Sequence, residues 1–289
     1  MFDELDADDL YAELIMLRAN DARAFILVEG PTDCAVLDRF VNAEHFTTVP
    51  AHGKIRALGA IERAYNGSQL TAVYAILDRD WVGFLEDGLD HHAVVYTDFY
   101  DLDACIFFAP GVYEALAASF CTDLSFRYGT PGSTRDDISM ACVELALPLG
   151  LLRYISHRDN LGLNLRDFPL NQVIKHLADG VELAALVELA CKRAKKDPAD
   201  FGSLVALLQQ ELAETAQREQ YCSGHDLAKA FSLVAKQRWA SRAGHDVVER
   251  SARAAFSQNL FEQSIMFHDS GRWAAGTGTP TWKQTPTTP

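Results

Sequence analysis

The first hundred residues alternate between short apolar runs and longer segments of helical periodicity. Residues 9–20 place Leu10, Leu14 and Leu17 three or four apart, the spacing of one helix face. Phe25-Ile26-Leu27-Val28 follows as a continuous apolar run, short and partly β-branched, which predicts a strand buried on both faces. It stops at Glu29-Gly30, and residues 33–41 then predict a helix with Val36, Leu37 and Phe40 turned inward. The cycle repeats with a strand at 46–49, a loop at His52-Gly53 and an amphipathic helix at 54–65 that ends at Asn66-Gly67. A third strand, 71–77, runs directly into Asp78-Arg79-Asp80, and a fourth, 93–97, follows an acidic loop. Strand–helix alternation of this kind predicts an α/β domain at residues 20–110, a Rossmann-like parallel sheet with helices on both faces.

From residue 111 the pattern becomes helical. Residues 111–120, 137–147, 181–195, 200–219, 225–240 and 246–267 all carry helix spacing, and Asp197-Pro198 is a cap followed by proline at the first helical position. Residues 151–170 read as irregular, with a candidate strand at 162–165. This defines a mostly helical domain at 111–270. Residues 271–289 are rich in Thr, Pro and Gly and poor in apolar side chains, so they predict a disordered tail.

Composition changes this picture only slightly. Hydrophobic residues make up 48% and charged residues 23%, ordinary values for a soluble globular chain. There is no run of 18 apolar residues, and the acidic start, MFDELDADDL, lacks the basic and apolar regions of a secretory signal; the expectation is a cytoplasmic protein without a membrane span. The six cysteines form no CxxC pair and read as buried, reduced thiols rather than zinc ligands. Charge is more informative. The net charge is −14, and residues 1–110 hold 7 Lys and Arg against 20 Asp and Glu. An acidic surface repels phosphate backbones, which excludes a passive nucleic-acid coat. Acidic groups gathered in this way either hold a metal or dock a basic partner.

The position of three of these acids favours the metal. Ligands of an open parallel sheet collect at the carboxyl ends of its strands. Glu29 ends the first strand, and Asp78 and Asp80 end the third. If those strands are neighbours, three carboxylates meet, with Asp78 and Asp80 on the same side in extended geometry. At about 4 Å and an effective dielectric of about 20, each like-charge contact costs about 4 kcal/mol, so a divalent cation is the natural neutraliser. Oxygen-only ligands suit Mg²⁺, with Mn²⁺ as a substitute. Asp33 and Asp38 read as helix caps or solvated turns. Lys54 at a helix start, Arg79 between the aspartates, and Asp101 and Asp103 beyond the fourth strand are candidates to contact phosphate or to support the metal ligands. The basic run Lys192-Arg193-Lys195-Lys196 reads as helix-dipole compensation, and Arg153, Arg158 and Arg166 as a possible substrate groove.

FILVEGPTDCAVL followed by VYAILDRDW resembles the Toprim signature, a glutamate after the first strand and a DxD after a later one. The segment VYTDFYDLDACIF at 95–107 and the block CSGHDLAKAFSLV at 222–234 narrow the resemblance to the Toprim-like nuclease family that includes AriB, the effector of the PARIS anti-phage system. The likeness touches most of residues 20–240, with sharp motifs only in the first hundred. It implies a Mg²⁺-dependent endonuclease in which Asp78 and Asp80 bind the metal and Glu29 orients it or moves a proton. It further implies release from a partner ABC-type ATPase, a tRNA or DNA substrate, and a homodimer when active. The tyrosine strand-passage domain of topoisomerases and the zinc module of primases are both missing, which points to hydrolysis by water. Two other readings stand beside this one. One is a non-catalytic docking subunit of an ATPase assembly; the other is a small-molecule phosphotransferase, for which Gly30-Pro31-Thr32 is too short to serve as a phosphate loop.

Overall fold

The computed structural model describes residues 7–67, 70–121, 135–275 and 278–283. The chain forms two compact units, Met1–Leu102 with Ser257–Pro289, and Asp103–Phe256. The boundary therefore falls at Leu102 rather than 110, and the C-terminal segment belongs with the N-terminal unit.

The first unit is α/β. Its strands are β1 (Ala24–Val28), β2 (Phe46–Pro50), β3 (Val73–Leu77) and β4 (Val94–Tyr96), paired in parallel in the order β2-β1-β3-β4. Every residue of β1 and of β3 is buried. This is why both appear in the sequence as unbroken apolar runs: a central parallel strand is covered on both faces. α1 (Ala7–Arg18) buries Leu10 and Leu14 but leaves Leu17 39% exposed, so its inward stripe is narrower than the spacing suggests. α2 (Pro31–Leu37) and α3 (Lys54–Asn66) are the crossovers. The chain steps from β1 outward to β2 and then back past β1 to β3, so right-handed crossovers put α2 and α3 on opposite faces. α2 stops at Leu37, four residues short of the predicted end.

The second unit is helical: α4 (Leu102–Phe108), whose first residue closes the α/β unit, α5 (Val112–Phe120), α6 (Arg135–Arg158), α7 (Leu183–Arg193), α8 (Leu204–Glu214), α9 (Gly224–Trp239) and α10 (His245–Ala255). α6 packs on α9 and α8, and α10 on α9 and α5. α6 corrects the sequence reading, which ends this helix at 147. Pro148-Leu149-Gly150 has the composition of a helix stop. Yet Leu149, Leu151, Leu152 and Ile155 are fully buried, and their burial outweighs the roughly 3 kcal/mol that an interior proline costs. Gly150 is required for packing, because a Cβ there would lie 2.0 Å from the Tyr221 carbonyl oxygen. Residues 137–158 are long and apolar enough to cross a membrane, but 67% of the apolar window is buried, as in a core helix. No strand forms at 162–165, and the predicted helix 200–219 is broken, with α8 ending at Glu214 before a short turn at Arg218–Tyr221. All six cysteines are free; Cys34 and Cys121 are only partly buried.

The predicted helix 246–267 is likewise divided among α10, α11 (Gln258–Phe261) and α12 (Ile265–Ala275). Asp98, just beyond β4, accepts the N–H groups of Ile265 and Met266 at 2.8 and 2.9 Å and caps α12. The described part of 271–289 is ordered, contrary to the predicted tail. Trp282 is 4% exposed, bridges to Val41, donates to Ser270 Oγ at 2.9 Å and packs edge-on against Phe261 with centroids 4.6 Å apart. One large aromatic among polar neighbours suffices to anchor a segment whose average composition reads as disordered.

Trp282→Ala is expected to destabilise the protein by about 3–5 kcal/mol, read as a lowered denaturant midpoint. A shift below about 1 kcal/mol would show that the segment does not contribute to the core. In the helical unit, the His225 hydrogen bond to Glu249 raises the His225 pKa; burial opposes, but that bond holds Glu249 below its ordinary value. The His225 contribution is complete below its unfolded pKa of about 6.5 and is lost as pH rises through the raised folded value. That of Glu249 is present above about 4.3 and is lost as pH falls through the depressed one. The stability gap between wild type and Glu249→Gln should therefore be widest between about pH 4.5 and 6.5 and should shrink by about pH 9. A gap independent of pH would contradict this assignment.

Candidate active site

The candidate site lies in the α/β unit at the carboxyl ends of β1 and β3. The strand order reverses there, with β1 leading to one edge and β3 to the other, so a crevice opens between them. The register pairs Phe25 with Val73 and Leu27 with Ala75, which brings Glu29 level with the end of β3. The Asp78 N–H donates to Glu29 Oε1 at 3.1 Å. Asp78 Oδ1 accepts the Leu102 N–H at 3.0 Å.

The loop after β2 completes the arrangement. Ala51 N–H donates to the Val28 carbonyl at 2.7 Å and Gly53 N–H to that of Glu29 at 3.0 Å. Gly53 has φ +127, a conformation open to glycine and strained for other residues. This turn sets Lys54 at the first position of α3, where its ammonium makes an ion pair with Asp80. Asp80 has φ +45, so the chain turns there rather than continuing extended; the same-side placement of Asp78 and Asp80 expected from a strand does not apply. The Asp80 N–H is held by the Tyr100 carbonyl at 2.8 Å.

Burial, reinforced by the charge of Asp80, pushes the Glu29 carboxyl up to about 7; Lys54 and the Asp78 N–H pull the other way. Burial and then the charges of Asp101, Glu29, Asp33 and Asp80 push Asp78 well above the usual carboxylate range. Five carboxylates thus sense one another, with Lys54 as counter-charge. A carboxyl that takes up and gives away a proton near neutrality is suited to acid–base work. The donor chemistry, carboxylate oxygen only, is that of a hard divalent cation. Among the described residues, however, no three His, Cys, Asp or Glu side chains are arranged as a ready coordination shell, and Lys54 stands on Asp80.

Of the residues singled out in the sequence, Glu29, Asp78, Asp80, Lys54 and Asp101 belong to this one electrostatic cluster. Asp33 accepts the Gly30 N–H at 2.8 Å, the cap expected of it, while its charge also acts on Glu29 and Asp78. Arg79 is half-buried and its Nε donates to the Thr97 carbonyl at 2.9 Å, which fixes the base of its guanidinium against the end of β4. Asp103 is a correction: it lies in the helical unit and receives Arg253 on both carboxylate oxygens, with Nε–Oδ1 at 2.7 Å. Three residues of the candidate basic patches have structural partners. Arg153 pairs with buried Asp226 at 2.6 Å, Arg158 with Asp159 and Glu211, and Arg193 donates to the backbone carbonyls of Asn164 and Arg166.

Sequence reasoning missed Thr97. Only 1% exposed, its hydroxyl accepts the Arg79 N–H at 2.9 Å and donates to the Phe99 carbonyl at 2.8 Å, clamping the loop that carries Asp78 and Asp80. The available signal was a lone hydroxyl residue closing an apolar strand. No family model matches the chain, and no curated protein matches it.

Thr97→Val keeps the shape but leaves the Arg79 N–H without its acceptor, and should destabilise the protein by about 1–3 kcal/mol. Thr97→Ser should restore most of that loss in thermal unfolding. Equal stability of all three proteins would show that the clamp is dispensable.

Proposed function

We propose that this chain is a Toprim-like endonuclease that hydrolyses phosphodiester bonds with the help of Mg²⁺. The observation that carries the reading is the adjacency of Glu29 to Asp78-Arg79-Asp80 across the β1–β3 pair, at the crevice where an open parallel sheet binds ligands. Glu29, Asp78 and Asp80 are the residues that would hold the metal, with Mn²⁺ as a substitute. A bound divalent ion offsets phosphate charge and lowers the pKa of water. Glu29, poised near neutrality, would accept a proton from the attacking water or return one to the leaving oxygen. Lys54 stands where its ammonium can move between Asp80 and a substrate phosphate. RNA, with tRNA favoured over DNA, a role in anti-phage defence, a cytoplasmic setting, restraint by an ABC-type ATPase and a homodimeric active form all rest on the family resemblance.

A second reading has its own observation. The Lys54–Asp80 ion pair already offsets part of the acidic charge without a metal, as would suit a non-catalytic docking subunit. Cleavage assays separate the two. Wild type and Glu29→Gln are incubated with total tRNA and with plasmid DNA, in Mg²⁺ and in EDTA. The glutamine keeps an oxygen for the Asp78 N–H, so the variant should fold normally while cleavage falls about 10²-fold or more. Fragments that persist in EDTA or with Glu29→Gln would sink the nuclease assignment. Weak or absent Mn²⁺ binding by calorimetry would favour the docking subunit.

A further inference from the structure

The helical unit contains a cleft of about 640 Å³, within the range of small-molecule sites. One wall is a face of α9: His225, Lys229, Ser232, Leu233 and Lys236 all line it, and steps of three or four residues through 225, 229, 232 or 233, and 236 put them along one side of a helix. The turn at 167–171 forms a second wall, and residues 241–245, leading into α10, form a third. Three Lys or Arg side chains line the cleft, Lys229, Lys236 and Arg242, against a single acid, Asp167. This reverses the balance of the whole chain, in which 40 acids outnumber 26 Lys and Arg.

The acid and the histidine beside it are already occupied with each other. His225 Nε2 lies 3.0 Å from Asp167 Oδ1, and its Nδ1 engages Glu249. Neither ring nitrogen is left for a ligand, and the Asp167 charge acts on both the imidazole and Lys229. Lys229 is half-buried and donates to the Phe168 carbonyl at 3.0 Å, which uses one of its three N–H groups. Burial lowers its pKa while the charges of Asp226, Asp167 and Glu249 support the ammonium from the protein side, and an anion in the cleft would add to that support. Lys236 and Arg242 are exposed at the rim. The 11-residue α10 opens onto the same space through Gly244 and His245, with Asp246 in its first turn offsetting part of the positive charge of that helix end. Pro169, Leu233 and Ala243, each partly exposed, supply an apolar side.

We propose that this cleft binds a nucleotide, with the phosphate held by Lys229, Lys236 and Arg242 and the ring system laid against Pro169, Leu233 and Ala243. A simple anion would leave the apolar wall wet, and an uncharged ring would put no anion against the three cations that line the cleft. The ligand is either a free nucleotide or one nucleotide of an RNA strand, since both present the same phosphate and ring. The inference does not rest on the nuclease reading.

The test is calorimetric titration of the full chain, in EDTA, with adenosine 5′-monophosphate, adenosine, inorganic phosphate and a 5′-phosphorylated oligoadenylate of about six nucleotides. At least one of the two nucleotide ligands should bind, and adenosine and phosphate should each bind about tenfold or more weakly than it. Binding of the monophosphate identifies a free-nucleotide site; binding of the oligoadenylate alone identifies a site for a nucleotide within a strand. The double variant Lys236→Glu, Arg242→Glu alters only exposed side chains and should weaken binding about tenfold or more at an unchanged unfolding midpoint. Lys229→Gln, checked by circular dichroism, should do the same from inside the cleft, whereas Glu29→Gln should bind as wild type. No binding of either nucleotide ligand, affinity equal to that of adenosine or phosphate, or cleft variants that bind as wild type would each overturn the proposal.

Discussion

The hydrogen bond from the Asp78 N–H to the Glu29 carboxylate depends on one pairing choice, β3 lying directly beside β1. That choice obliges the chain to reverse across the sheet, which sends α2 and α3 to opposite faces and opens a crevice between the two central strands. Had β3 paired beyond β2, Glu29 and Asp78 would stand two strands apart, about 9–10 Å, too far for one site. The register adds the second half of the constraint, because sliding β3 by one residue would turn its whole side-chain set to the other face.

Such a cluster works against folding. Burial and mutual repulsion both disfavour the ionised forms of Glu29 and Asp78, and each raised pKa marks stability given up at neutral pH. The surroundings limit the loss with fixed donors, the Asp78 and Leu102 N–H groups and the Lys54 ammonium. The backbone contributes too, through left-handed conformations at His52 and Asp80 and the glycine at 53. Strain and unfavourable charge gathered at one crevice of an otherwise regular sheet are what a functional site looks like in energetic terms.

The central strands were legible because burial on both faces leaves a continuous apolar run, as in Phe25–Val28 and Val73–Leu77, and each run ends in an acid. Glu29, Asp78 and Asp80 could therefore be named from sequence. Lys54 could be named only as a candidate, since its pairing depends on the Gly53 turn. Arg79 and Asp103 each have a partner, Thr97 or Arg253, whose position local pattern does not encode. α6 passed through Pro148 because tertiary burial overrode a local stop signal. The C-terminal segment was misjudged because composition averages over a window, while a single side chain, Trp282, does the anchoring.

The return of residues 257–283 to the α/β unit has a temporal consequence. During synthesis the ribosome delivers the four strands first, then the entire helical unit, and only afterwards the segments that cover the Asp98 carboxylate and receive Phe40 and Val41. Domains tend to fold as units while the chain emerges. Here the helical unit can be finished while the sheet still waits for the pieces that cover Phe40, Val41 and Asp98. A chain cut short before Trp282 would leave Phe261, Ser270 and the Val41 edge without that cover.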